Sequence, residues 1–304
     1  MRSLLLSVAM AVVSTACLAD TFSVQIVAEG IWAIEGPAEQ RSPENLGNNA
    51  TFGLIETEIG AVLVDPGGTR AGAEMLQTVV AELTDHPVTH VINTGGQDHR
   101  WLGNGYWREQ GAEIIASEAA VTDQRARASL QLTMLSELVG AEGLSGTDPA
   151  FAETTFAETL ALFTGGRRIE IHHVAPAHTP GDSFVWLPDE GVVFTGDIVF
   201  VGRLLGVLEV SDTAGWLEAF SAIEALTPAQ VVPGHGPATD LATAQADTRD
   251  YLANLRARMR DYIDAGGDII GSVDIDQSAF DHLDQFEALS RRNAQAAFAQ
   301  MEWE

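Results

Sequence analysis

Histidine and aspartate side chains follow several apolar segments of this sequence, each beside glycine or proline. The residues concerned are Asp65, His99, His178, Asp197 and His235. Loops at the carboxyl ends of strands are where α/β proteins place ligands, because a rigid sheet aims the side chains. Imidazole and carboxylate groups without a thiolate suit zinc, and they also suit iron or manganese. The segments together therefore predict a metal site.

Strand-like and helix-like segments alternate along the chain and would hold these loops in place. Apolar spacing predicts an amphipathic helix over Thr69–Leu83, a strand at Val88–Ile92, and a long helix that Ser117 caps. Other predicted helices are Thr213–Leu226, Thr239–Ala265 and Ser278–Trp303, and other predicted strands are Arg168–Val174, Ser183–Leu187 and Val192–Thr195. This pattern predicts one α/β domain over residues 20–304, with two sheet-and-helix halves and a helical C-terminal extension from about residue 266 to 304.

The charge of the chain excludes one class of partner. The sequence has 43 acidic residues against 16 basic ones, a formal net charge of −27, and every basic residue is an arginine. Such a surface repels phosphate backbones, so we expect a small-molecule substrate and no nucleic acid.

The N-terminus has the features of a targeting segment. Arg2 precedes an apolar stretch at Leu4–Val13, which predicts a signal peptide over residues 1–19 with cleavage near Ala19. The stretch is too short to span a bilayer, so we expect a periplasmic or secreted protein without stable membrane insertion after cleavage. Lipid attachment at Cys17, the single cysteine, is the less favoured alternative. A chain cleaved at Ala19 has no thiolate to offer a metal.

The order of the motifs resembles that of the metallo-β-lactamase superfamily. The matching motifs are the loop at 93–104, Ala-His-Thr-Pro-Gly-Asp around His178, Phe-Thr-Gly-Asp ending at Asp197, and Pro-Gly-His-Gly around His235. The resemblance implies a four-layer αββα sandwich with a zinc site at the seam between its two sheets. The exported location resembles the family's periplasmic hydrolases of uncertain substrate more than its antibiotic-degrading members.

The loop at 93–104 departs from the family pattern Thr-His-x-His-x-Asp-His. Counted without gaps from Thr94, the four ligand positions hold Gly95, Gln97, His99 and Arg100. Both histidines that would hold the family's first metal ion are therefore absent, and His99 replaces the aspartate of the second. A one-residue gap would let Asp98 and His99 supply the family's Asp-His pair, but the unbroken spacing to Gly103–Asn104 argues against it.

The remaining residues support one metal ion or none. The resemblance implies a ligand set of His99, Asp197 and His235, with His178 as a fourth ligand or a close neighbour. Three protein ligands plus water is the open arrangement of catalytic sites. Asp98 and His99 are the predicted catalytic residues: Asp98 would accept a proton from the metal-bound water or orient His99, which would hold the metal.

We therefore expect a hydrolase with one zinc ion, acting through a metal-bound water on a small ester, thioester, lactone, amide or phosphoester. The alternative is a metal-poor, catalytically retired family member that acts as a periplasmic binding or accessory protein. Metal content separates the two hypotheses.

Overall fold

Two β-sheets packed face to face form the centre of the protein, in a computed structural model that describes residues 21–304. The first sheet has seven strands that lie in chain order: β1 (Ser23–Ala28), β2 (Ile31–Glu35), β3 (Thr51–Thr57), β4 (Gly60–Val64), β5 (Val88–Asn93), β6 (Glu113–Ser117) and β7 (Thr154–Phe156). The second sheet has five strands: β8 (Thr159–Thr164), β9 (Arg167–His172), β10 (Phe184–Leu187), β11 (Val192–Phe194) and β12 (Gln230–Val232).

The strand pairing brings the predicted site loops to one edge of each sheet. In the first sheet β4, β5 and β6 are parallel, and Val64 pairs with Ile92, so the loops after these strands emerge side by side. In the second sheet β11 and β12 are the parallel pair, with Phe194 opposite Val232. Asp197 and His235 each follow that matched pair by three residues.

Helices cover the outer faces of both sheets. They are α1 (Arg70–Leu83), α2 (Asn104–Glu109), α3 (Glu118–Gly143), α4 (Thr213–Leu226), α5 (Leu241–Ala244), α6 (Asp250–Asp264) and α7 (Phe286–Met301). Thr69 caps α1 by accepting from the Gly72 amide, and Ser117 caps α3 by accepting from the Ala120 amide. Within residues 21–304, no helix is both long and apolar enough to cross a membrane.

The hydrophobic core has three layers of contact. Aliphatic side chains such as Val64, Ile92 and Val232 fill the space between the sheets. Leu76 of α1 packs on the outer face of the first sheet, and Trp216 of α4 packs on the outer face of the second. Each fully buried aliphatic side chain contributes about 1.5–3 kcal/mol relative to exposure. The layers are helix, sheet, sheet and helix, which confirms the predicted αββα sandwich.

Several element boundaries differ from the sequence prediction. β7 and β8 were not predicted, because the first is three residues long and the second is an edge strand in which half of the side chains are exposed. The helix predicted from Thr239 begins at Leu241 after an Asp240 cap and includes a π-helical turn at Gln245–Arg249. The tail helix begins only at Phe286, because Gln285 has a left-handed backbone with φ of 66°. The predicted signal peptide lies outside the described residues.

Candidate metal site

Three side chains converge where the two sheets meet. His99 lies in a short 3-10 turn after β5, Asp197 lies in another after β11, and His235 follows β12. One donor atom from each lies within 4.8 Å of the others, and all three side chains are buried. The structure thus brings together three of the four residues predicted to bind metal.

Asp197 lies between the two imidazole rings. Its Oδ2 is 3.3 Å from His99 Nε2, and its Oδ1 is 3.2 Å from His235 Nε2. The rings of His99 and His235 meet edge to face with centroids 5.2 Å apart. Burial lowers the pKa of His235 well below its usual value, so its ring is neutral. Two imidazole nitrogens and one carboxylate form a donor set that fits a single transition-metal ion.

Arg100 holds the carboxylate of Asp197 in place. Its guanidinium donates to Asp197 Oδ1 at 2.7 Å, to Asp65 Oδ2 at 2.7 Å and to the Gly234 carbonyl at 2.8 Å, and its side chain is fully buried. Burial alone would raise the pKa of Asp197, but Arg100 and His99 lower it well below its usual range. Asp197 is therefore an ionised carboxylate.

Asp65 fixes the start of the site loop. Its Oδ1 accepts from the Thr94 amide at 2.8 Å, and its Oδ2 accepts from the Thr94 hydroxyl at 2.8 Å. Asp65 itself has a left-handed backbone with φ of 67°, a conformation that aspartate tolerates better than most residues. The end of β4 and the first residue after β5 are therefore locked together.

His178 lies outside the three-residue group. Its Nδ1 is 2.9 Å from the Gly206 carbonyl, and its ring packs against Phe200 and Trp216. Phe200 also stacks on His235, with ring centroids 4.7 Å apart. Burial lowers the pKa of His178 to about 4, so the ring is neutral at pH 7.

Gly95 and Gln97 stand where the family has the two histidines of its first metal ion. A Cβ atom on Gly95 would lie 2.4 Å from Asp182 Oδ1, so the Asp182 carboxyl group occupies the space beside this glycine. Asp182 accepts from the Thr179 amide at 2.7 Å, and burial raises its pKa to about 8. The Gln97 Oε1 atom is buried and has no hydrogen-bond partner among the described residues.

Arg41 contacts both residues predicted to be catalytic. Its Nη2 lies 2.5 Å from Asp98 Oδ1 and 2.7 Å from His99 Nδ1. Burial alone would raise the pKa of Asp98, but the charge of the adjacent Arg41 guanidinium brings it below its usual range. Asp98 Oδ1 also lies 3.2 Å from His99 Nδ1, but Asp98 is not part of the three-residue group.

A small cavity opens beside His235. It has a volume of about 120 Å³, and Arg203 and Asn49 contribute to its lining. Arg203 Nη1 donates to the Ala38 carbonyl at 3.1 Å and lies 3.5 Å from His235 Nδ1, and Glu35 and Asp284 line the same cavity. Burial and the charge of Arg41 lower the pKa of Arg203.

A larger cavity, of about 600 Å³, lies at the opposite ends of the strands. Glutamates such as Glu56 and Glu58 line it, and Arg167 donates to the Glu56 carbonyl there. None of the three convergent residues contributes to it, so its size does not mark it as the reaction site.

Residues 47–235 match the family model described as "Metallo-beta-lactamase superfamily". This span exceeds half of the 304-residue sequence. The chain belongs to the metallo-β-lactamase superfamily. It is 23% identical over 236 residues to 2,4-dinitroanisole O-demethylase subunit alpha of Nocardioides sp. (strain JS1661), covering 76% of this chain and 66% of that protein. The chain therefore spans just under two thirds of this relative.

Solved structures of this superfamily share the fold. A metallo-β-lactamase from Pontibacter korlensis has a TM-score of 0.62 and 22% identity, over 77% of this chain and 99% of that chain. The metallo-β-lactamase FIM-1 from Pseudomonas aeruginosa, in its mono-zinc form, has a TM-score of 0.60 and 18% identity, over 77% and 95% of the two chains. At these identities the likeness shows the metallo-β-lactamase fold alone.

Two residues of this metallo-β-lactamase superfamily site were not predicted from the sequence. Arg41 belongs to the segment between β2 and β3, which carries no recognisable motif. Arg203 follows Asp197 by six residues in a glycine-flanked segment, and its position so close to a predicted ligand is a signal that could have identified it.

Proposed function

We propose that this protein is a metal-dependent hydrolase that holds one divalent ion, with zinc the first candidate, on His99, Asp197 and His235. The observation that carries the proposal is the convergence of their three buried donor atoms within 4.8 Å of one another. The mono-zinc form of FIM-1 supports a single ion in this fold, since that solved relative is described with one zinc.

One ion is proposed because the other ligands of the family are missing. Gly95 offers no side chain, and Asp182 fills the space beside it. His178 is turned toward the Gly206 carbonyl through Nδ1 and lies outside the donor group. A second ion would have no histidine pair from the site loop.

When bound, a divalent transition metal lowers the pKa of a water molecule and polarises a carbonyl or phosphoryl oxygen. The protein's own residues prepare the site for this chemistry. Arg100 keeps Asp197 ionised and fixes the direction of its carboxylate through two further contacts, to Asp65 and to the Gly234 carbonyl. Phe200 covers one face of His235 and limits the access of bulk water from that side.

The substrate that we propose is a small ester, thioester, lactone, amide or phosphoester. The cavity beside His235 has room for only a small group. Arg203 lines that cavity together with Glu35 and Asp284, so a guanidinium donor lies among carboxylates there, which favours a substrate with a neutral hydrogen-bond acceptor.

We further propose export to the periplasm or the exterior. The N-terminal sequence supports this proposal through Arg2 and the apolar segment Leu4–Val13.

The metal-poor accessory protein is the second candidate. The observation that favours it is the contact between Arg41 and His99 Nδ1, because a cation beside a ligand opposes a second cation. Under this proposal the fold is retained for binding, and no metal accumulates.

The test is a hydrolysis panel with a matched pair of variants. Metal-free protein would be loaded with one equivalent of zinc and assayed on p-nitrophenyl acetate, an acyl thioester, a γ-lactone and bis-p-nitrophenyl phosphate. We expect activity on at least one substrate, its loss with chelator, and its loss in Asp197→Asn. The exposed Asp276→Asn variant is the control and should retain activity. Equal activity in Asp197→Asn, or none on any substrate, would contradict the hydrolase.

A further inference from the structure

The two histidines of the three-residue group present their second ring nitrogen to arginine. His99 Nδ1 lies 2.7 Å from Arg41 Nη2, while its Nε2 faces Asp197. His235 has a looser form of this arrangement: its Nε2 faces Asp197, and its Nδ1 lies 3.5 Å from Arg203 Nη1, which also donates to the Ala38 carbonyl at 3.1 Å. Each ring therefore lies between a guanidinium and a carboxylate.

A guanidinium determines which ring nitrogen carries the proton. Arginine has five N–H donors and no acceptor, so a ring nitrogen that bonds to it must offer its lone pair. A neutral imidazole has one protonated and one unprotonated nitrogen. With the lone pair at Nδ1 directed to Arg41, the proton of His99 resides on Nε2 and is donated to Asp197.

Asp98 does not offer an alternative acceptor for a proton on His99 Nδ1. Its Oδ1 is 3.2 Å from that nitrogen, which is farther than Arg41 Nη2. The same oxygen already accepts from Arg41 Nε at 3.0 Å, from Arg41 Nη2 at 2.5 Å and from the His99 amide at 2.8 Å. Its acceptor sites are occupied, so the contact with Arg41 determines the tautomer.

His178 shows the opposite arrangement within the same protein. Its Nδ1 lies 2.9 Å from the Gly206 carbonyl, which can only accept, so the proton is on Nδ1 and the Nε2 lone pair is free. A histidine that binds metal through Nε2 almost always donates its other N–H to a carbonyl or carboxylate. His99 and His235 have donors at that place instead.

We propose that Arg41, with Arg203 as the weaker partner, holds the donor group in the tautomer that cannot bind metal, and so sets the metal affinity of the site. This rests on the proposed function. A metal ion at Nε2 requires the proton to leave that atom, and the Nδ1 position to which it would move faces Arg41. Binding therefore requires the Arg41 contact to break. Arg41 is a positioning residue, which acts on the metal through His99.

Replacing Arg41 by glutamine should increase the metal affinity of the site. In Arg41→Gln the side chain can turn its carbonyl oxygen toward Nδ1 and accept the proton there. Arg41→Lys keeps a cationic group that only donates. Partners of metal-binding histidines change metal affinity by about 10–100-fold, so we expect Arg41→Gln to bind zinc at least ~10-fold more tightly. Arg41→Lys should stay within about 3-fold of the wild type.

The experiment has two readouts. Zinc and cobalt dissociation constants would be measured for metal-free wild type, Arg41→Gln, Arg41→Lys and Arg203→Gln by competition with a chromophoric chelator. Long-range ¹H–¹⁵N NMR of metal-free wild type would report the protonated nitrogen of each ring. We expect Nε2–H for His99 and His235, and Nδ1–H for His178 as the internal reference. The NMR readout requires no substitution, so it does not depend on how the variants fold.

The outcomes separate this inference from the proposed function. Nδ1–H at His99, or an Arg41→Gln variant that binds zinc no more tightly than Arg41→Lys, would overturn the role of Arg41. If the wild type still bound one zinc through Asp197, the hydrolase proposal would stand. Nε2–H at His99 with a tighter Arg41→Gln, but without hydrolysis by any metal-loaded form, would support the inference and contradict the hydrolase.

Discussion

Arg100 and Asp197 form a buried ion pair, with Nη2 2.7 Å from Oδ1, at the seam between the two sheets. The same guanidinium bonds to Asp65 after β4 and to the Thr51 carbonyl of β3. It therefore joins both sheets through one side chain. Position 100 is a ligand position in the family pattern. Here it holds an arginine, whose permanent positive charge fixes the carboxylate of Asp197.

Removing the Arg100 guanidinium should strongly destabilise the fold. Arg100→Met leaves Asp65 and Asp197 buried without their shared partner, and we expect the free energy of unfolding to fall by about 3–5 kcal/mol. Chemical denaturation of chelator-treated protein measures the change.

The control for Arg100 is an exposed ion pair. Arg108 lies 3.2 Å from Glu153 at the surface, and Arg108→Met should change the free energy of unfolding by less than about 0.5 kcal/mol. If both variants lost a similar free energy of unfolding, the bonds of Arg100 across the seam would stabilise the fold no more than an exposed ion pair does.

Gly95 should not tolerate a side chain while Asp182 is present. A Cβ atom at Gly95 would lie 2.4 Å from Asp182 Oδ1, so we expect Gly95→Ala to reduce the free energy of unfolding by about 1–3 kcal/mol. Combining it with Asp182→Ser should restore part of that loss. A double-mutant cycle measures the coupling.

Gly105 of α2 provides the matched control, because the nearest atom to its added Cβ is 3.7 Å away. Gly105→Ala should be neutral or stabilising by up to about 1 kcal/mol, since alanine favours helix. A Gly95→Ala protein as stable as Gly105→Ala would mean that Asp182 does not fill the space of the missing ligand.

His178 should make the fold sensitive to acid. The pKa of His178 is near 4 in the folded protein, whereas a histidine in an unfolded chain has a pKa near 6.5. Between these values the unfolded chain binds more protons, so stability falls as the pH drops from about 6.5 to about 4. The expected slope is up to about 1.4 kcal/mol per pH unit from this residue.

Unfolding of metal-free protein between pH 4 and 7 would measure this slope in the wild type and in His178→Asn, whose amide can still donate to the Gly206 carbonyl. We expect a shallower slope in the variant. Identical slopes would exclude His178 as the source of the acid sensitivity, as would an NMR titration in which its ring becomes charged near pH 6.5.

The sequence was informative about the site wherever residues follow one another along the chain. The ends of the strands were predictable, because apolar runs stop there beside glycine. The same signal located Asp197 after β11 and His235 after β12. The four-layer fold followed from the resemblance carried by the same motifs. Unbroken counting from Thr94 also put His99 rather than Asp98 at the ligand position, and in the structure it is His99 that joins the donor group.

The parts that were not predictable depend on contacts between distant segments. Arg41 is separated from Asp98 and His99 by more than fifty residues and lies in a loop without a motif. Asp182 is likewise distant in sequence from the residue that it contacts. It belongs to a motif, but its carboxyl group fills the space at Gly95 only once the two sheets pack together. Local patterns specify strands and helices, whereas the polarity around a ligand is set by tertiary packing.

The most direct test of a single metal site is the stoichiometry of zinc binding. Metal-free wild type and Asp197→Asn would be titrated by calorimetry, with the exposed Asp276→Asn variant as the control. We expect about one zinc per chain in wild type and Asp276→Asn, and binding at least ~100-fold weaker in Asp197→Asn. Fewer than about 0.2 ions per chain in wild type, two ions per chain, or unchanged binding in Asp197→Asn would contradict the account.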